Sequence, residues 1–242
     1  QQYRARQKRA GFYNGTWRTL SALTGMMFSK PPQKVLPKAI EAYEADIDMA
    51  GTSLETFARR VALEVLEVGR IGIMVDHPAV DGATPITVEV AETLGLRPML
   101  KTYRAESIIN WRYRRVRNRW VLAMVVLKEM ASVPDGEFAE KQIEQYRVLD
   151  LDDADLYRVR VFQREKGDSG EFVETENVHP LRDNAPLDFI PFAIVGTDGM
   201  DSELDEPPLI DLVNSNMEHY LVRADRRHGI HFVCVPTMMI SG

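Results

Sequence analysis

Apolar positions along the chain switch between two periods, and the switches divide it into three zones. In the first zone the spacing is helical. Tyr13, Trp17, Leu20, Thr24 and Met27 fall on one stripe, which predicts a helix over residues 3–28. Gly11, Gly15 and Gly25 weaken it by roughly 1 kcal/mol each relative to alanine. Pro31, Pro32 and Pro37 end it and begin an extended connector, and a shorter acidic helix is predicted over 38–50, closing near Gly51. A third helix is predicted over 53–69. Thr52-Ser53-Leu54-Glu55 has the spacing of a capping box, Leu54, Phe57, Val61, Val65 and Val68 form its core stripe, and Gly69 stands where a C-cap is expected.

Over 71–195 strand-like runs follow one another. Ile71 to Val75 is a short buried strand. It is followed by Met99 to Arg104, Ser107 to Tyr113, Trp120 to Leu127, Glu144 to Leu151, Leu156 to Gln163, Phe172 to Asn177 and Phe189 to Val195. Pro134-Asp135-Gly136, the acids around Asp152, and Gly167 to Gly170 supply the turns, and Asn118 supplies one between Arg117 and Arg119. Strands without intervening long helices predict a mainly antiparallel, meandering sheet. In the third zone an acidic loop, 196–206, is too charged to bury. Pro207 and Pro208 sit where a helix begins, and Leu209, Leu212, Val213, Met217, Tyr220, Leu221 and Ala224 recur at helical spacing over 207–229. The helix has Asp211 near its start and Arg223, Arg226 and Arg227 near its end, an order that suits its dipole. The run GIHFVCV after it alternates like a strand. The expected class is α+β: N-terminal helices, the meandering sheet, then a long C-terminal helix.

At 242 residues, 45% hydrophobic and 27% charged, the chain is long enough for one large core or two modest ones. No apolar run approaches the ~20 residues that span a bilayer, so no membrane partner is expected, and no signal peptide is expected at its head. With no initiator Met and an end at MMISG, the sequence is expected to be a fragment or the ordered part of a longer protein. Its single cysteine, Cys234, excludes an internal disulfide and suits a reducing compartment. Charge is unevenly spread. The first forty residues hold eight basic side chains and no acid, so taking those eight from the net −6 leaves −14 on the remainder. A basic arm on an acidic body points to a nucleic acid or to another copy's acidic surface.

Catalytic and metal chemistry find little support in the sequence. Gly69-Arg70-Ile71-Gly72 closes a helix rather than opening one, and no Walker, GxSxG or HExxH pattern occurs. His228, His231 and Cys234 have a ligand-like spacing, but the strand alternation would put His231 and Cys234 on opposite faces, so no metal site is assigned. The acids from Asp150 to Asp155 lack the glycine and final glutamate of a calcium loop and are read as a hairpin turn. No catalytic residue and no cofactor is expected, and the chain is read as a non-enzyme. The sharpest local feature is Trp111 to Trp120, where Arg112, Arg114, Arg115, Arg117 and Arg119 lie between two tryptophans. Arginine interleaved with aromatics suits either a phosphate-tracking surface or an acidic protein partner.

Four stretches in order carry a family resemblance. They are YRARQKRAGFYNGTWRTLSALTGMMFSKPP, SLETFARRVALEVLEVGRIGIMVDHP, RPMLKTYRAESIINW and PPLIDLVNSNMEHYLVRADRRHGIHFVCVPTMMISG. In combination they resemble a divergent branch of the tailed-bacteriophage portal proteins (head-tail connectors), long classed as a domain of unknown function. The resemblance implies a structural subunit of a virion. Portals are typically rings of twelve copies at one head vertex, assembled from host cytoplasm, through which double-stranded DNA is packaged and ejected. The packaging terminase and the head-tail adaptor dock on the ring. On that resemblance residues 1–206 correspond to the wing, 207–229 to the first stem helix and 230–242 to the start of a truncated clip. It would place Arg223, Arg226 and Arg227 near the stem–clip junction, facing DNA or a neighbouring copy. The alternative is a nucleic-acid-binding phage protein, or another head-assembly protein, using the hairpin at 111–120.

Overall fold

The computed structural model describes residues 11–78, 90, 93–164, 170–182, 185–200 and 203–233. Two antiparallel sheets dominate, as the strand-rich middle of the chain predicts. In the first, β1 (Arg70–Asp76) lies between β2 (Met99–Arg104) and β10 (Phe192–Gly196). In the second, β3 (Ile108–Val116), β4 (Arg119–Pro134), β5 (Glu140–Leu151), β6 (Tyr157–Arg164) and β7 (Phe172–Val178) are paired in sequence order. A two-residue ladder, β8 (Leu181–Arg182) with β9 (Ala185–Pro186), precedes β10. The class is α+β.

The meander is built on local turn chemistry. Arg117 and Asn118 both have positive φ (45° and 68°), the conformation that a two-residue hairpin matched to strand twist requires. Asp135 donates its N–H to the Ala139 carbonyl at 2.8 Å, and Gly136 takes φ +92°. At the third turn Asp152 donates its N–H to the Leu156 carbonyl at 2.9 Å, and its carboxylate accepts from the N–H groups of Ala154 and Leu156 at 2.8 and 3.0 Å. The sequence patterns underestimate strand length. β4 runs to Pro134 rather than Leu127, because Lys128 to Pro134 pair with Tyr146 to Glu140, a register invisible without the partner strand. Ser107, expected to open a strand, instead ends a 3₁₀ turn (Ala105–Ser107), and the last strand begins at Phe192 rather than Phe189.

The core lies between the sheets. Met74, Tyr103, Phe192 and Ile194 from one side meet Val125, Leu127, Leu149, Leu151, Tyr157 and Val159 from the other. Gly72 permits this contact, since a Cβ there would stand 2.4 Å from Phe192 Cζ and 3.0 Å from Ile108 Cδ1.

The helices differ more from expectation. α1 is Gly15–Met27, capped by Asn14, whose Oδ1 accepts from the Trp17 N–H at 2.9 Å. Residues 11–14 are not helical, and the rest of the predicted 3–28 helix lies outside the described residues. The predicted 38–50 helix survives only as one turn, α2 (Lys38–Glu41). The Asp46 and Asp48 carboxylates accept from the backbone N–H groups of Gly51, Ala50 and Thr52, so local turn bonds win over helical ones. α3 (Leu54–Val68) ends as expected, with Gly69 at φ +91° accommodating the left-handed cap. Its N-cap is Ser53, one residue later than the capping-box spacing indicates, with Oγ accepting from Thr56 N–H at 3.2 Å. Thr52 is buried instead, its hydroxyl accepting from Arg60 at 3.2 Å. α4 (Ile210–Val233) begins three residues later than predicted and ends four residues later. Residues 230–233, expected to be strand, continue the helix. Helix α1 lies beside it: Gly15 N–H donates to Asn216 Oδ1 at 3.1 Å, and the Phe12 and Tyr220 rings meet edge to face at 5.7 Å.

Candidate functional site: a basic hairpin and an uncovered helix

The hairpin β3–β4 gathers four of its five predicted arginines at the surface. Arg112, Arg115, Arg117 and Arg119 are exposed and carry no hydrogen bond or ion pair among the described residues. Arg115 stands directly across from Trp120, which is 72% exposed, so the pair shares one face of the ribbon. Arg114 is different. Its guanidinium donates to the Asp152 carbonyl at 3.0 Å and to the Asp155 carboxylate, bracing β3 against the β5–β6 turn. Trp111 is also committed, because the Arg70 guanidinium lies 4.8 Å from its ring centre. Burial leaves Arg70 Nη1 without a hydrogen bond and depresses its pKa.

The second cationic group is on α4. Arg226 is exposed, whereas Arg223 and Arg227 reach toward the segment before α1, within 3.7 and 3.6 Å of where a Cβ on Gly11 would stand. The structure thus keeps the hairpin arginines and the helix arginines on different elements. Around them α4 is poorly covered. Ala224 is its one buried residue among those described, while Val213, Met217, Leu221 and Val222 are 37, 48, 54 and 60% exposed. His228 lies on this helix and His231 within its backbone, so the alternation that set His231 against Cys234 does not hold. Cys234 lies outside the described residues.

The acids that sequence alone leaves as charged loops have specific structural tasks. Asp150 is buried in β5 and accepts from Arg158 at 2.8 Å and Arg160 at 2.9 Å. Asp152 is held below its usual pKa, first by the Leu156 N–H. Asp205 ties the acidic loop to the end of β10, accepting from the N–H groups of Thr197 and Asp198 at 2.7 and 3.2 Å. Among the described residues no cluster of histidine, cysteine or acidic side chains has the arrangement of a metal site. No described helix is long and apolar enough to cross a membrane.

One constellation escaped the sequence reading. The core face of β4 runs Val125, Leu127, Glu129 and that of β5 runs Leu149, Arg147, Gln145, so the same period-two line passes from apolar to ionic. Glu129 accepts from Tyr103 Oη at 2.7 Å, Gln145 Nε2 at 2.7 Å and Arg147 Nε at 2.9 Å. Burial alone would raise the Glu129 pKa, but Arg147 and the two neutral donors outweigh it and hold the carboxylate below its ordinary value. The Tyr103 hydroxyl is pushed far upward by burial and by that carboxylate. A groove of about 550 Å³ opens beside this network, lined by Phe57, Arg60, Lys101, Tyr103, Glu129 and Arg147 among others. Its cations are already engaged: Lys101 binds Asp76 at 2.6 Å, and Arg147 binds Glu129. The visible signal was a charged residue at an inward strand position; its partners come from other strands.

A family model described as a domain of unknown function (DUF4055) covers residues 208–242, the stretch that begins just before α4 and includes the whole of it. No curated protein matches the chain.

Proposed function

We propose that this chain is a structural subunit of a phage portal ring, without catalysis, lining or flanking a DNA channel. The observation that carries the reading is α4. It is a 24-residue helix attached to an α+β body, with its apolar Val213, Met217 and Leu221 left about half exposed. Isolated domains rarely leave such a stripe on a long helix, and packing against neighbouring copies in a ring would cover it. The family match is consistent with this, because it falls on the last of the four stretches that carry the portal resemblance. In the ring, Arg223, Arg226 and Arg227 face DNA phosphate or a neighbour's acids.

Single-particle imaging of the full-length gene product tests the reading. A ring of about a dozen copies around an open channel is expected, and a protein that stays monomeric at high concentration overturns it. A triple Glu substitution at Arg223, Arg226 and Arg227 is expected to impair packaging or assembly while leaving the fold, read by circular dichroism, in place. Normal DNA packaging by that variant would remove these arginines from the proposal.

A second reading is favoured by Trp120, exposed beside Arg115, Arg117 and Arg119 at the hairpin end. Stacking and phosphate contacts there would make the chain a dedicated nucleic-acid binder. Titration with short duplex DNA separates the two readings: a dedicated binder loses affinity steeply with salt, and a portal subunit outside its ring binds poorly throughout.

A further inference from the structure

The five-stranded sheet ends in β3 on one side and β7 on the other. A terminal strand presents a row of unpaired backbone N–H and C=O groups, which natural sheets cover, interrupt or charge. Here both edges are charged, and with opposite sign. β3 and its turn carry Arg112, Arg114, Arg115, Arg117 and Arg119 with no acid. β7 and the residue before it carry Glu171, Glu174 and Glu176 with no base, and every residue of the strand is exposed. The side chains of Arg112, Arg115, Arg117, Arg119, Glu171 and Glu176 have no hydrogen bond or ion pair among the described residues.

We infer that the β3 edge of one copy pairs with the β7 edge of the next, joining their sheets across the subunit boundary. Like charges oppose β3 meeting β3 and β7 meeting β7, while β3 meeting β7 brings arginine to glutamate, so the charge pattern selects one pairing and rejects the other two. The selected contact is heterologous: it uses a different surface on each copy, and it repeats until the rotation between copies closes. In a meander of five antiparallel strands the first and fifth run the same way. Copies related by a small rotation keep that direction, so the joint is parallel. The inference deepens the ring reading above by naming the surface that one subunit offers the next.

Two variants of the full chain test it. R112E/R115E/R117E/R119E leaves Arg114 among four glutamates and makes both edges acidic, and E171R/E176R makes both basic. None of the six side chains holds a hydrogen bond or ion pair within the described fold, so each variant is expected to keep its circular dichroism and unfolding midpoint. By sedimentation velocity each variant alone is expected to self-associate at least about tenfold more weakly than the parent, since exposed ion pairs are individually small but are here reversed together. An equimolar mixture of the two restores alternating acidic and basic edges and is expected to recover assembly, with the salt sensitivity of the parent. Single variants that assemble like the parent overturn the inference, and so does a mixture of folded variants that stays apart. Imaging separates this from the ring reading. Rings indifferent to edge reversal leave the portal proposal standing without this interface, and open filaments or dimers that follow the charge swap leave the interface standing without the portal.

Discussion

Val125, Leu127 and Leu149, at the centre of the sheet sandwich, are wholly inaccessible to water, whereas α4 buries only Ala224 among its described residues. Both regions are apolar by pattern. In the sandwich the apolar line finds its partner within the same chain, strand against strand and sheet against sheet. On α4 the stripe through Val213, Met217 and Leu221 is only partly covered and stays 37–54% exposed. Periodicity therefore reports that a face needs covering but not what covers it. The sandwich meets its own need; the helix leaves its stripe partly in water. The comparison predicts that substitutions in the sandwich act on folding and that substitutions on α4 act on association.

The sharpest attempt to break that division is Leu149→Ala. Removing a wholly buried side chain that touches both sheets is expected to cost about 2–5 kcal/mol, read as a lower midpoint in urea unfolding. A loss below about 1 kcal/mol would mean that the sandwich is not the stabilising unit.

Glu129→Ala comes next, at about 3 kcal/mol, because it strips Arg147 and Tyr103 of their shared partner inside the sandwich. Its pH dependence identifies the cause. The Glu129 pKa is lower in the folded chain than its ordinary value of 4.5, so the unfolded chain takes up its proton first as acid is added. The carboxylate's contribution is complete above about 4.5 and is lost as pH falls through the depressed folded value. The parent should therefore lose stability below that pH more steeply than Glu129→Ala. Parallel acid-unfolding curves would assign the network no electrostatic role.

Gly72→Ala probes the contact between sheets at finer grain. The added carbon has no room beneath Phe192, and overpacking of this kind costs about 1–3 kcal/mol. Pairing it with Phe192→Leu, which vacates the space, should return part of the loss, and thermal unfolding of the single and double variants measures the coupling.

Local signals carried most of the fold. The strand runs, the Asn118 turn and the Gly69 cap each depend on residues a few positions apart, and each is present, whereas of the α3 stripe only Phe57 is buried and Val68 is exposed. What was hidden is what depends on distant partners. β4 looks polar after Leu127 until β5 is placed beside it. Glu129 looks like a surface acid until Tyr103 arrives from the other sheet. Local competition also misled at 42–50, where Asp46 and Asp48 take the backbone amides that a helix needs. In the candidate site the same division holds. The five hairpin arginines stand out by composition, but the commitment of Arg114 to Asp155 spans 41 positions in sequence and was not legible. Nor was the opposition of charge between β3 and β7, because strand order decides which strands are edges.

The smallest expected effect on folding is on α4, and it is the most informative. Val213, Met217 and Leu221 changed together to serine should move the unfolding free energy by no more than about 1 kcal/mol per site, since each is already about half exposed. The same variant should lose assembly. Burying the remaining apolar surface of each side chain against a neighbour contributes about 1 kcal/mol, and a ring repeats that contact at every boundary. Measuring the unfolding midpoint and the sedimentation profile on one sample separates the outcomes. A variant that folds as before but no longer assembles places the helix in the subunit interface. A variant that assembles normally leaves the stripe without a role in association, and the difference between sandwich and helix would then be one of exposure alone.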